Sequence, residues 1–510
     1  MPHTSPQPPT LKNPSAPPRL RASAFNLNLP RLSGNKLPLL LAGILGSSAL
    51  SLLAGNQTVT SGGVTESGGG YTDSGAAAAL SVSGSGTWYR GTDLTISATG
   101  HSAYASGTVG RGVYVHDGAA LSLTDSVITT TGTRGHGILL AATGSGAVTG
   151  LYLATAGDWA CGVSATNAAA LTLTGGTIRT AGAQGYGIYL YDHSSGTVRG
   201  ADIATEQNFG DGVYAQSYST LTLADSAIHT AGRQGYGIAL VGTSSGTVRG
   251  TDITVTGVSS AGVYVFWHST LALTDSNIRA TGGATTALYL AAASHAAVNL
   301  NHNTLAGDLI VSATATLDLT GSNGSVITGN LTGTDHARVD LAITGADTAL
   351  HGNISQDNAS AIHLTVSAGA LFHGSGTMSG LTLETGAILG YTGSLLVTGG
   401  PVSISDGIRV DFGYLTVEPD RDYLIIDYTN ATGSVDAGSF TVANLAPDTQ
   451  GIFTVRDNRQ LYFTTGAVPE PSAWFLLNAG LGVVILAARR RRPPTSFARG
   501  ADRRVQRQRR

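Results

Sequence analysis

Along the middle of the chain, apolar residues return every 25 positions. The count starts at Gly112, Gly137, Gly162, Gly187, Gly212, Gly237 and Gly262, and Ala287 continues the series; the next residue is always Val, Ile or Leu. Eleven positions on, Leu and Val alternate from Leu123 to Val298. Sixteen positions on stand Ile128, Leu153, Ile178, Ile203, Ile228, Ile253 and Ile278. Between these columns apolar and polar residues alternate, as in Gly-Val-Tyr-Val, which is the period of a strand and leaves no room for a helix. Three inward rows per repeat predict three short strands per coil. Coils wound in one sense give parallel sheets, so the expectation is an all-β, right-handed parallel β-helix whose stability is collective. A finer period of 50 residues is present. Coils with Leu121, Leu171, Leu221 and Leu271 alternate with coils carrying Ser-Ser-Gly-Thr-Val-Arg-Gly from Ser194 and Ser244. This predicts alternating large and small core layers that interdigitate.

The regular coils are assigned to 55–305, with a looser register before Gly112, where Trp88 and Ile96 belong to earlier coils. After Leu305 the period fails but strand-like segments continue, so 306–418 is read as less regular coils. Residues 419–467 read as a β cap that closes the open end of the stack, because bare strand edges invite aggregation.

Composition narrows the partners. The chain has 70 Gly among 510 residues and only 12% charged residues. Disorder, the other reading of such a chain, would leave no fixed apolar columns. Residues 55–467 hold 13 Arg, no Lys and 29 acidic residues, a body near −16 that will not bind nucleic acid by neutralising phosphates. Cys161 is the only cysteine, so no intrachain disulfide exists, and it reads as a small residue beside a turn glycine.

Both ends are basic and read as addresses. Residues 1–54 form a long leader and signal peptide, with the apolar run Leu37–Leu53 and cleavage expected near Ala49–Gly55. At the other end Pro469-Glu470-Pro471 precedes an apolar stretch from Ala473 to Ala488 and then Arg489, Arg490, Arg491 and Arg492. Sixteen helical residues span about 24 Å, a short transmembrane helix whose arginines stay cytoplasmic. Residues 468–492 resemble the PEP-CTERM sorting signal of Gram-negative bacteria; a basic tail, 493–510, follows. The resemblance implies export machinery, recognition by an exosortase, membrane anchoring before processing, removal of the tail near Pro469–Pro471, and delivery to the surface or matrix. Residues 60–465 resemble autotransporter passengers and other pectin-lyase-like β-helices, on the phrasing of Gly321–Ser325, Ser367–Leu371 and Gly374–Thr377. No long run of alternating strands follows, so translocation through a barrel of its own is not expected.

Candidate chemistry is sparse. Asp125, Asp225 and Asp275 share the position thirteen after the glycine, and Asp202 and Asp252 share the position fifteen after it. Asp225 and Asp275 would stand about 10 Å apart, but the acids at position thirteen are flanked as turn residues are. The histidines lack metal-ligand spacing, so no metal is expected, and no cofactor loop is present. Outward aromatics recur at Tyr114, Tyr189, Tyr214, Tyr264 and Tyr289, with Tyr191 and Phe266 two places on. Stacked tyrosines support a parallel sheet; they would also offer sugar rings an apolar face, making Tyr114, Tyr189, Tyr191, Tyr214, Tyr264 and Phe266 a glycan-contact stripe. The expectation is a non-enzymatic, structural or adhesive surface protein contacting cell-surface or matrix polysaccharide. A polysaccharide lyase or glycoside hydrolase on the same scaffold is the alternative.

Overall fold

The computed structural model describes residues 55–467 except 76, 101–109, 283–285, 414–416, 419, 446–448 and 457–458. The chain divides into two units, Met1–Ser51 and Leu52–Arg510, and the described residues all belong to the second. The leader 1–54, Pro469, Glu470 and Pro471, the segment from Ala473 to Ala488, Arg489–Arg492 and the tail 493–510 lie outside the described residues. Among the described residues no helix is long and apolar enough to cross a membrane.

Three sheets of 18, 16 and 16 strands carry the architecture. Each coil adds one strand to each sheet, as Ile188–Tyr191 does to sheet I, Ser195–Arg199 to sheet II and Asp202–Thr205 to sheet III. The partner of each residue lies 25 positions on: Ile188 faces Val213, Val198 faces Leu223 and Ile203 faces Ile228, all in parallel. The three apolar columns are at most 3% exposed and form the spine of the core. Before Gly112 one coil is longer, since Leu80 pairs with Val113.

The corners need backbone in the left-handed region. Corner I–II uses a pair such as Asp192 and His193, at φ 54° and 59°. Corner II–III uses one Asp or Gly, such as Asp225 at 50°, Gly250 at 58° and Asp275 at 49°, or the pair Gly175 and Gly176. The acids thirteen after the glycine therefore are turn residues, as their flanks suggested. Corner III–I uses one residue in each coil, such as Trp159 or Phe209. The column glycines have another reason to be glycine: none has positive φ. A Cβ on Gly212 would lie 2.3 Å from the Ile228 methyl and 2.6 Å from the Gly237 carbonyl oxygen. Close approach of neighbouring coils excludes a side chain there.

The expected alternation of large and small layers is corrected. Where sheet II carries Leu171 or Leu221, sheet I turns in Ala165 or Ala215; where sheet II carries Gly146, Gly196 or Gly246, sheet I supplies Leu140, Leu190 or Leu240. The Leu190 side chain covers Gly196 so closely that a Cβ on that glycine would lie 2.9 Å from it. Every layer is filled, by a leucine from one wall or the other, so packing density is kept within each coil.

Buried hydroxyls hold the corners. Ser219 and Ser244 donate their backbone N–H to the hydroxyls of Ser244 and Ser269, at 3.2 and 3.1 Å. Thr155, Thr180 and Thr205 donate to the carbonyls of Ala160, Gly185 and Gly210, at 3.1, 3.0 and 2.9 Å. Each of these threonine bonds closes the III–I corner and satisfies a buried polar group.

After Leu305 the stacking continues at a changed spacing. Thr316 pairs with Arg338, Arg338 with Ala361, Leu364 with Leu381 and Leu381 with Val402, steps of 22, 23, 17 and 21 residues. Of the segment read as a cap, Asp422–Asp427, Thr432–Gly433 and Phe440–Ala443 still add parallel strands to the three sheets. Only Thr449–Arg456 and Gln460–Ala467 turn antiparallel, against each other and against Asp422–Asp427.

Candidate functional site

The outward face of sheet I between Trp159 and Tyr289 concentrates the aromatic residues. Its geometry splits the expected stripe. Tyr189, Tyr191 and Tyr214 form one group, with ring centroids 6.0 Å apart for Tyr189–Tyr191 and 5.7 Å for Tyr189–Tyr214. Tyr264, Phe266 and Tyr289 form a second, at 5.6 and 5.3 Å from Tyr264. Tyr114 stands apart, three coils before Tyr189 or about 14 Å. It stacks on His116 at 4.3 Å and under the Arg111 guanidinium at 4.6 Å.

Two tyrosines missing from the expected stripe extend the groups, one each. Tyr186 stacks on Tyr214 at 5.0 Å, and Tyr236 on Tyr264 at 4.6 Å with rings 6° from parallel. Both occupy the place just before the column glycine, outside the strands. The repeated phrase Gly-Tyr-Gly-Ile at 185–188 and 235–238 was the available signal. Tyr186, Tyr189, Tyr214, Tyr236, Tyr264 and Tyr289 are half-buried among their stacked or tilted neighbours, while Tyr191 is exposed. Ring faces remain open only where the stack is interrupted.

Two grooves mark those interruptions. One, of about 430 Å³, lies before Tyr186 and Tyr189 over Leu139, Cys161 and Ser164, with Trp159 and Arg134 along its side. The other, of about 350 Å³, lies among Tyr236, Tyr264 and Tyr289 where Ala261 takes the place of an aromatic.

The position before the glycine also carries the buried titratable groups. Asp211 is 4% exposed, and its Oδ1 accepts the Tyr236 backbone N–H at 2.6 Å. Burial holds its carboxyl well above the usual carboxylate range, with that hydrogen bond opposing. In its own coil His136 makes the equivalent contact, Nδ1 accepting the Cys161 N–H at 3.0 Å. Desolvation, then the charges of Arg111 and Arg134, push the imidazole down to about 4. Burial pushes the Cys161 thiol up to about 12, which removes it as a nucleophile, and it pushes the Tyr214 and Tyr264 phenols up to about 12 as well.

The acids weighed for catalysis lie elsewhere. Asp225 and Asp275 sit on corner II–III facing Arg199 and Arg249 at 3.2 and 3.6 Å. Asp202 faces Arg179 at 3.7 Å, and Asp252 accepts from Asn277 at 2.7 Å. Among the described residues no group of three or more His, Cys, Asp or Glu side chains could hold a metal ion.

This stack of parallel coils matches a family model described as the right handed beta helix region over residues 161–331. A chain from the cryo-EM structure of the Vag8–C1 inhibitor complex aligns at 18% identity with a TM-score of 0.50, covering 77% of this chain and 100% of that one. The autotransporter UpaB from E. coli strain CFT073 aligns at 16% identity and a TM-score of 0.39, covering 81% and 100%. At 18% identity the first likeness is one of fold alone. No curated protein matches the chain.

Proposed function

We propose that this chain is an exported bacterial surface or matrix β-helix that binds polysaccharide through sheet I without turning it over. The supporting observation is the gathering of Tyr186, Tyr189, Tyr214, Tyr236, Tyr264 and Tyr289 on one outward face. A sugar ring that stacks on a tyrosine face adds apolar contact that needs no charge, which suits a body near −16. In this reading export begins at the leader 1–54, and an exosortase acts near Pro469–Pro471 after Ala473–Ala488 and the arginines have held the membrane. Peptide mapping of the surface form should then find nothing beyond the Pro469–Pro471 region; peptides from Arg499 to Arg510 in that form would remove the processing claim.

The binding claim is tested on a glycan array with Tyr189→Ala, Tyr214→Ala and Tyr264→Ala. Ala239 stands at the equivalent place in its own coil, so the coil accepts alanine there. Loss of binding without loss of thermal stability is expected, and unchanged binding would sink the tyrosine face. A glycoside hydrolase is favoured by one observation: Asp211, a carboxyl that burial holds well above the usual carboxylate range, lies beside Tyr236 of this face. Hydrolysis needs a second carboxylate roughly 5–10 Å away, and new reducing ends released from a neutral or uronate polymer would decide for it. The solved complex with C1 inhibitor adds a protein ligand as the third outcome; array binding to protein alone would favour it.

A further inference from the structure

We propose that the groove before Tyr186 and Tyr189 is a subsite for an anionic sugar unit, whose ring lies on the open tyrosine faces and whose carboxylate or sulfate meets Arg134. The inference rests on the polysaccharide reading and adds the class of glycan.

The groove exists because two successive coils lack the outward tyrosine. Leu139 and Ser164 take its place in sheet I, and Cys161 replaces the bulkier residue before the glycine. The side of Tyr186 and Tyr189 turned away from Tyr214 therefore borders open space of about 430 Å³, within the range of ordinary ligand pockets. Trp159, 48% exposed, forms the side wall on corner III–I. The Arg134 guanidinium lies over the Trp159 ring, 5.8 Å from its centre, which places a planar cation beside the aromatic floor.

Charge makes the groove unlike the rest of the body. Its lining includes Arg134 and His136 but no carboxylate, in a segment with more than twice as many acids as arginines. Burial, and then the charges of Arg111 and Arg134, push the His136 imidazole down to about 4. Asp158, beside Trp159, accepts the Ala183 N–H through its Oδ1 at 2.9 Å. A guanidinium meets carboxylate and sulfate alike through paired N–H donors. The second groove, among Tyr236, Tyr264 and Tyr289, has no charged lining residue and offers the contrast.

The repeat supplies variants that the fold already accepts. Gln184 and Gln234 stand where Arg134 does, in the same left-handed conformation, and Ser259 stands where Trp159 does. The full chain and its Arg134→Gln and Trp159→Ser variants are titrated with an oligouronate, a sulfated oligosaccharide and their neutral parent of equal length. At least one anionic ligand should bind more tightly than the neutral one. Arg134→Gln should weaken it by about tenfold or more, as loss of a charge-assisted pair does, and leave the neutral ligand unchanged. The ligand that responds identifies the anionic group. Equal binding of neutral and anionic ligands, or indifference to Arg134→Gln, overturns the subsite. Neutral binding that falls with Tyr264→Ala but not Trp159→Ser overturns it while sparing the tyrosine face. No binding of any oligosaccharide to the wild-type chain overturns both.

Discussion

The coils from Gly112 to Leu305 and those from Ala306 to Gly390 stack the same three sheets over one continuous apolar core, but they differ at corner III–I. In the first set seven residues lie between Thr205 and Val213; in the second, Gly307 alone lies between Ala306 and Asp308, and two residues lie between Thr328 and Leu331. Shortening the corner removes the position that carries His136, Cys161, Tyr186, Asp211 and Tyr236. It also removes the left-handed residues that carry Trp159 and Phe209. The outward places of sheet I then hold Ile310, Thr332 and Ser355, and no tyrosine. A carboxyamide ladder takes over the shortened corner: Asp308 accepts the Asn330 N–H, Asn330 that of Asn353 and Asn353 that of Ser375, at 2.8, 3.0 and 3.1 Å. Residues that the core does not need build the aromatic face, while the later coils spend that corner on backbone satisfaction.

If the regular coils truly exchange leucines between walls, the largest effect follows from breaking one exchange. Leu190→Ala should cost about 2–5 kcal/mol by denaturant unfolding, the usual range for a buried leucine. Adding Gly196→Leu copies the arrangement of Ala215 and Leu221 in the next coil and should restore much of that loss. A double variant no more stable than the single one would refute compensation within the coil.

A smaller effect separates the two regions directly. In the regular coils Gly212→Ala forces a Cβ against the Ile228 methyl and the Gly237 oxygen, and should cost about 1–3 kcal/mol as overpacking does. In the later coils a Cβ on Gly321 meets nothing nearer than 3.5 Å, at a φ open to any residue. Gly321→Ala should be neutral or stabilising by up to about 1 kcal/mol, through a less flexible unfolded chain. Equal costs at both sites would mean that close approach is not the reason for the glycine column.

The difference between the regions also explains what could be read without coordinates. Columns of one residue type at constant spacing, such as Ile203, Ile228 and Ile253, were legible because each must fill the same space in every coil. The second inward place of sheet I was not, since Leu190, Ala215 and Leu240 change size to suit sheet II. Register after Leu305 was illegible because the step varies from 17 to 32 residues, although pairing persists. Tyr189, Tyr214 and Tyr264 were found as strand residues; Tyr186 and Tyr236 escaped because they belong to a corner, where no alternation marks a side chain's direction. Tyr114 shares the column of Tyr189 and Tyr214, but the two coils without tyrosine isolate it.

The last effect concerns the acid response, to which His136 and Asp211 at corner III–I of the regular coils contribute beside His351 of the later coils, an imidazole pushed down by burial and then by His373. His136 titrates near 6.5 when unfolded and is pushed down to about 4 when folded. Between those values the unfolded chain binds the extra proton, so this group makes stability fall as pH drops from 6.5 towards 4 and adds nothing further below. Asp211 acts in the opposite sense. Its folded carboxyl is raised, so the folded chain binds the proton first and stability rises as pH falls through the folded value towards the ordinary carboxylate range. His136→Tyr, which copies Tyr186 and Tyr236 in their coils, should reduce the loss below pH 6.5, leaving the part that His351 carries. Asp211→Asn keeps an oxygen for the Tyr236 N–H, and should raise stability at neutral pH while removing the gain on acidification. Thermal unfolding followed from pH 8 to pH 4 measures both, with Asn330→Ala as the reference in the later coils, whose melting should shift equally at every pH. If His136→Tyr leaves the acid slope of the wild-type chain intact, the buried imidazole is not its source, and the contrast between the two corners is one of shape alone.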